Sequence, residues 1–124
     1  MFNIAVKDLV VLVTGTSKKH GIGRALLEEA IIRGAKKVYA TARNISELDD
    51  LIKKFPGKVI PIELDVTKPD QIRKVSLDIS DTHILVNNAG ACGSTGCLFN
   101  YNPQTAREEM EVNYFAPLHL INAF

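Results

Sequence analysis

Leu9-Val10-Val11-Leu12-Val13-Thr14-Gly15 opens the legible pattern of this chain, and after five further residues Gly21-Ile22-Gly23 follows. Residues 9–13 are apolar at every position, so a strand built from them has no face to offer solvent. Such runs belong in parallel sheets covered by helices on both sides. The run breaks at Thr14-Gly15 into a polar loop. A helical pattern at Ile22, Ala25, Leu26, Ala30 and Arg33 comes next, with Gly34 placed as its C-terminal stop. Gly15 permits a tight turn after a buried strand, while Gly21 and Gly23 let the backbone approach a pyrophosphate at a helix amino terminus. The first amides of that helix and its macrodipole favour negative charge there.

The alternation repeats outward from this unit. Residues 37–41 read as a second strand. Ser46 is the expected N-cap of the helix after it, with Asp49 in the first turn and Leu48, Leu51, Ile52 and Phe55 as one apolar stripe before Pro56-Gly57. Residues 59–64 form a third expected strand, and Pro61 places it at a sheet edge. Pro69 opens a short helix through Ile72, Val75 and Ile79. Ile84-Leu85-Val86 is a fourth strand, and a last helix runs from about Pro103 to the end. Four β-α units of about 30 residues predict an α/β fold with a doubly wound parallel sheet. Ligands in such folds sit at the carboxyl ends of the strands, here the loops after Val13, Thr41, Leu64 and Val86.

Composition narrows the function classes. The 124 residues are 46% hydrophobic and 23% charged, which fits one globular domain and excludes a disordered chain. With 15 basic and 14 acidic side chains the net charge is +1, giving no broad basic field for nucleic acid. No charged segment followed by a long apolar stretch opens the chain, and its longest aliphatic runs fall far short of the ~20 residues a spanning helix needs. Cys92 and Cys97 are too few for a disulfide framework and lack paired ligands for a metal. Reduced thiols, and a soluble cytoplasmic protein without nucleic-acid or membrane partners, are the expectation.

The loops at the expected ligand end carry Thr14-Gly15 with Gly21-Ile22-Gly23, then Arg43, Leu64-Asp65-Val66 and Asn87-Asn88-Ala89-Gly90, and Asn113 follows in the last helix. This set, in this order, resembles the short-chain dehydrogenase/reductase family, over nearly the whole chain. The Asn-Asn-Ala-Gly stretch after a fourth strand is the specific signal. The resemblance implies a Rossmann-like sheet of strand order 3-2-1-4 with the remaining strands missing, and residues 1–124 as an NAD(P)-binding domain cut short at its C-terminal end. It implies cofactor contacts from Gly15, Ser17, Gly21, Ile22, Gly23, Arg43, Asp65, Val66, Asn88, Ala89 and Gly90, and a catalytic role for Asn113. The loop departs from the family pattern: Thr16-Ser17-Lys18-Lys19-His20 supplies five residues where three are usual. The general dinucleotide fingerprint also fails, since Leu26 stands where it wants glycine or alanine.

Several of these residues have physical readings of their own. An acidic group about 20 residues after the glycine loop holds a ribose 2′-hydroxyl, whereas an arginine accommodates a 2′-phosphate. That count from Gly23 lands on Arg43, beside the non-acidic Ala42, so NADP is expected over NAD. The planar guanidinium suits phosphate, and Lys18, Lys19 or His20 add charge from the facing loop. Asp65 reads equally as an adenine contact and as a loop-ordering carboxylate. Asn87 and Asn88 divide in the same way between cofactor contact and bracing of the central strands. The Asn113 carbonyl would accept from residue 117 in a helix, but Pro117 has no amide hydrogen, so a kink is expected there. In the family an asparagine at such a kink orders a water in a proton relay. His83 and His119 read as structural.

The resemblance further implies a serine and a tyrosine with a lysine four residues later, and neither Tyr101 nor Tyr114 has that lysine. The expected function is an NADP-dependent oxidoreductase acting on an alcohol or carbonyl, represented by its cofactor-binding part. The competing reading is a non-catalytic dinucleotide-binding or interaction protein ending at Phe124. An unpaired outer edge on the fourth strand makes a homo-oligomer the expected assembly.

Overall fold

The computed structural model describes residues 5–93 and 102–124; Cys97 and Tyr101 lie outside them. The elements run β1 (Val10–Val13), α1 (Ile22–Ile32), β2 (Lys37–Ala42), a 3-10 turn (Ile45–Leu48) leading into α2 (Asp49–Lys54), β3 (Val59–Glu63), α3 (Pro69–Asp78) and β4 (Ile84–Val86). After the undescribed segment come α4 (Pro103–Met110), a π-helical turn (Glu111–Phe115) and α5 (Ala116–Ala123). The four strands form one parallel sheet in the order β3-β2-β1-β4, the doubly wound arrangement expected.

Every residue of β1 is buried, because helices cover both faces of the sheet. Val11 and Val13 point into a core shared with Leu27 and Ala30 of α1 and with Leu48 and Leu51. Val10 and Leu12 point the other way, against Ile72 and Val75 of α3 and Ala116 and Leu120 of α5. Each fully buried Val, Leu or Ile side chain among them contributes about 1.5–3 kcal/mol relative to exposure. Pro61 does sit in an edge strand, paired with Ala40 on one side only. His83 is structural, as its position suggested: its N–H donates to the Val10 carbonyl at 2.9 Å, and its Nδ1 accepts from the Val10 amide at 3.3 Å.

Three local expectations need correction. The stripe Ile22, Ala25 and Leu26 does not face the core: Ile22 is 73% and Leu26 44% exposed, and α1 buries Gly23, Arg24, Leu27 and Ala30 instead. Its phase is set by Gly23, the position that must lie against the loop, not by a count of apolar residues. Ser46 is not the cap either; Asn44 is, its side chain accepting from the Ser46 amide at 3.0 Å. The last helix answers Pro117 with a π turn rather than a plain kink, the Ala116 amide donating to the Glu111 carbonyl five residues earlier.

Candidate cofactor-binding site

The carboxyl ends of β1, β2, β3 and β4 meet at one end of the sheet, and a single hydroxyl organises the centre. Thr14, fully buried, donates from Oγ1 to the Val86 carbonyl at 3.3 Å and accepts from the amides of Asn88 at 3.0 Å and Ala89 at 2.9 Å. The Asn88 side chain returns the bracing, its Nδ2 donating to the carbonyls of Thr14 at 2.8 Å and Gly15 at 3.0 Å. Asn88 therefore welds the β4 loop to the glycine loop. The Thr14→Val variant keeps the shape but removes the acceptor for two loop amides. We expect it to cost about 2 kcal/mol or more in urea unfolding, since each orphaned amide is worth about 1–3 kcal/mol. Stability equal to the parent chain would refute the hub role.

Two glycines are required by this packing. Gly15 sits at φ +70°, and a Cβ there would lie 2.8 Å from the Ala89 Cα. A Cβ on Gly23 would run into the Asn88 Nδ2 and the Gly15 carbonyl oxygen. The start of α1 is thereby pressed against the glycine turn. Gly21 is its N-cap, no side chain caps it, and no acidic residue stands in its first turn. The opening amides of a helix have no intrahelical partner. By contrast, Asn44 and Asn102 cap the helices that follow them.

Arg43 is exposed directly beyond β2, and Asp65 lies beyond β3. Burial pushes the Asp65 carboxyl up, but hydrogen bonds from the Thr67 hydroxyl and amide, with the charges of Lys68 and Arg43, bring it below the usual carboxylate range. Its Oδ1 accepts from the Thr67 amide at 3.0 Å and the Thr67 hydroxyl at 2.7 Å, so the carboxylate orders its own loop. Val66 is buried in the core beneath that loop. Asn113 lies in the π turn with its side chain clamped on Ala91: Oδ1 accepts from the Ala91 amide at 2.9 Å and Nδ2 donates to its carbonyl at 2.7 Å. Gly90 passes beneath, where a Cβ would approach the Asn113 Oδ1 to 3.4 Å. Ser17 is half-buried, offering its carbonyl to Arg24, and Ile22 points to solvent.

Gly15 thus packs against Ala89, Gly23 against Gly15 and Asn88, Gly90 and Asn113 form a second cluster, and the charge of Arg43 adds to what lowers the Asp65 carboxyl. Sequence reasoning passed over the Thr14 hydroxyl and the buried Arg24. A signal for Arg24 existed: a cation in the first turn of a helix opposes the macrodipole and calls for acceptors nearby. Among the described residues no group of His, Cys, Asp and Glu could hold a metal ion, and no helix is long and apolar enough to cross a membrane.

Comparison with known proteins places this geometry. A family model described as short chain dehydrogenase matches residues 9–124. The chain is 31% identical to the short chain dehydrogenase pigC of Monascus ruber, over 92% of this chain and 41% of that protein. It is 36% identical to the short-chain dehydrogenase PC-15 of Penicillium crustosum, over 92% of this chain and 42% of that one. The crystal structure of a short chain dehydrogenase from Burkholderia cenocepacia, in complex with NADP, superposes with a TM-score of 0.86 at 37% identity, covering 98% of this chain and 48% of that one. An NADPH-bound carbonyl reductase from chicken fatty liver superposes at 0.82 and 28% identity, over 95% and 50% of the two chains. The chain therefore spans about half or less of the length of these relatives. The matched span holds the glycine turn, the Asn88 brace and the Asn113 clamp alike, and the chain belongs to the short-chain dehydrogenase family.

Proposed function

We propose that residues 1–124 are one NAD(P)-binding domain, the cofactor-binding part of an NADP-dependent oxidoreductase acting on an alcohol or carbonyl. The observation that carries this reading is the uncapped start of α1 pressed against the Gly15 turn, an approach that the missing Cβ of Gly23 permits because a methyl there would run into Asn88 and the Gly15 carbonyl. Free helix-start amides beside bare backbone fit a pyrophosphate. When bound, the dinucleotide supplies or receives the hydride. This chain's residues bind and orient it: Gly15, Ser17, Gly21, Ile22 and Gly23 at the phosphates, Asp65 and Val66 at the adenine end, and Asn88, Ala89 and Gly90 along the β4 loop. Asn113 holds that loop through Ala91 and orders the water that hands on a proton.

Arg43 supports NADP over NAD, because it is exposed directly beyond β2, at the place where an arginine accommodates a 2′-phosphate, and Ala42 beside it carries no carboxylate. The two crystallised relatives bind NADP and NADPH, which favours the same choice. Arg43→Ala should weaken NADPH by about 1.5–3 kcal/mol, the value of a charged hydrogen bond, which is about 10- to 150-fold. NADH should change little. Titration calorimetry with both cofactors checks this; equal losses for the two would overturn the assignment. A reducing, cytoplasmic setting and homo-oligomerisation belong to the same proposal. The exposed Tyr114, Phe115, Leu118 and Ile121 offer an apolar surface for assembly.

A further inference from the structure

Arg24 is the one arginine among the described residues that the fold buries, at 4% exposure, and it stands in the first turn of α1 where the helix field opposes a cation. Four acceptors hold it there, and they come from two separate segments. On the glycine loop, Nε donates to the Thr16 carbonyl at 3.0 Å and Nη2 to the Ser17 carbonyl at 3.3 Å. On the segment that follows Arg43, Nη2 donates to the Glu47 carbonyl at 2.6 Å and Nη1 pairs with the Asp50 carboxylate. The Arg24 guanidinium in turn holds the Asp50 carboxyl below its ordinary value. Thr16 is tied independently to the end of β2, its amide and hydroxyl both donating to the Thr41 carbonyl at 3.0 Å.

The geometry points to Arg24 as a positioning residue that sets the spacing between the phosphate loop and the Arg43 arm, and so acts on the choice between NADP and NAD without touching either. Arg43 is exposed and has β2 on one side and residues 44–50 on the other. The β2 side is anchored by the sheet. The other side is anchored to the glycine loop through the Arg24 guanidinium. A planar fork reaches acceptors on both segments at once, which a lysine ammonium or an apolar side chain of similar length cannot do. Removing it frees residues 44–50 from the loop, and Arg43 then loses its fixed distance from the α1 amides. The inference rests on the reading of this site as an NADP site.

The test is a coupling measurement on the intact chain, by fluorescence titration of NADPH and NADH into the parent protein, R43A, R24M, the double variant and D50N. In the parent background R43A should weaken NADPH tenfold or more. In the R24M background the same change should cost less than threefold. D50N, which strips the charge from one anchor at a half-exposed position and so weakens its hold on Arg24, should cut the NADPH-to-NADH preference at least threefold. A purely structural Arg24 would lower the melting temperature but leave that preference and the R43A effect unchanged, and this result overturns the inference. Should R24M fail to fold, D50N alone decides by the same ratio. If R43A has no effect in the parent, the NADP reading falls by itself. Positioning by Arg24 is then judged on the NADPH-to-NADH ratio alone: a threefold or greater change of that ratio in R24M or D50N upholds it, and an unchanged ratio in both removes it.

Discussion

Gly23→Ala is expected to lower dinucleotide affinity by about 100-fold and to destabilise the fold as well. In an open helical position the change would stabilise, because alanine exceeds glycine in helix propensity by about 0.8–1 kcal/mol. Here the new methyl meets the Asn88 Nδ2 and the Gly15 carbonyl oxygen, neither of which can retreat. Nδ2 is held by two carbonyls, and the Gly15 backbone is set between Thr14 and Ala89. Overpacking of that kind costs about 1–3 kcal/mol, so the steric loss outweighs the propensity gain. The larger effect falls on binding, since α1 must move away from the turn and carries its opening amides with it. Paired urea unfolding and NADPH titration measure the two parts. A Gly23→Ala chain as stable as its parent, with unchanged affinity, would show that no close packing exists at this turn.

The parts of the structure that were legible are those in which burial leaves one choice. A run apolar at every position, residues 9–13, had to be covered on both faces, and β1 lies between α1 and α2 on one side and α3 and α5 on the other. Pro61 announced an edge because a proline cannot serve two neighbours, and β3 has only β2 beside it. The phase of α1 was not legible in the same way. Ile22 and Leu26 outweigh Gly23 and Arg24 on any apolar count, yet the loop needs the bare glycine and the loop carbonyls need the guanidinium. The buried face runs Gly23, Leu27 and Ala30, an apolar stripe one residue on from the one counted, which meets the needs of the loop and leaves Ile22 and Leu26 outside.

The site divides similarly. Glycines, Arg43 and the Asn-Asn-Ala-Gly stretch stood out because their types are unusual at those places. Thr14 did not, since a threonine at a strand end is ordinary until its hydroxyl is seen to serve three backbone groups of β4 and its loop. Asn44 and Ser46 were confused for a related reason: both are good caps, and only the backbone decides which side chain accepts and which amide donates. For Asp65 the structure brings the bland role forward, because the carboxylate already holds two Thr67 groups. An adenine contact at Asp65 would use its remaining oxygen.

These 124 residues by themselves are expected to hold a dinucleotide and yet carry out no hydride transfer to a carbonyl. Such transfer builds negative charge on the substrate oxygen, which needs a proton or a strong donor at that atom. No tyrosine of the chain has a lysine four residues on: position 43 is Arg43, position 105 is Thr105 and position 118 is Leu118. Among the described residues Tyr39 does touch a lysine in space, its hydroxyl accepting from the Lys37 Nζ at 2.7 Å. It cannot serve. Burial pushes its phenol up, and its hydroxyl donates to Asp81 at 2.8 Å just ahead of β4. Lys37 opens β2 and Asp81 precedes β4, so this trio sits at the amino ends of the strands, across the sheet from the Gly15 and Asn88 loops. Asn113 can order a water, but its side chain is committed to Ala91 in both directions and an amide is no acid. Purified protein of these residues should therefore oxidise NADPH with a panel of aldehydes and ketones no faster than a heat-treated blank. The same panel should respond to a chain that continues through a serine and a Tyr-x-x-x-Lys segment. Turnover clearly above the blank would mean that the proton donor lies among the residues of this chain.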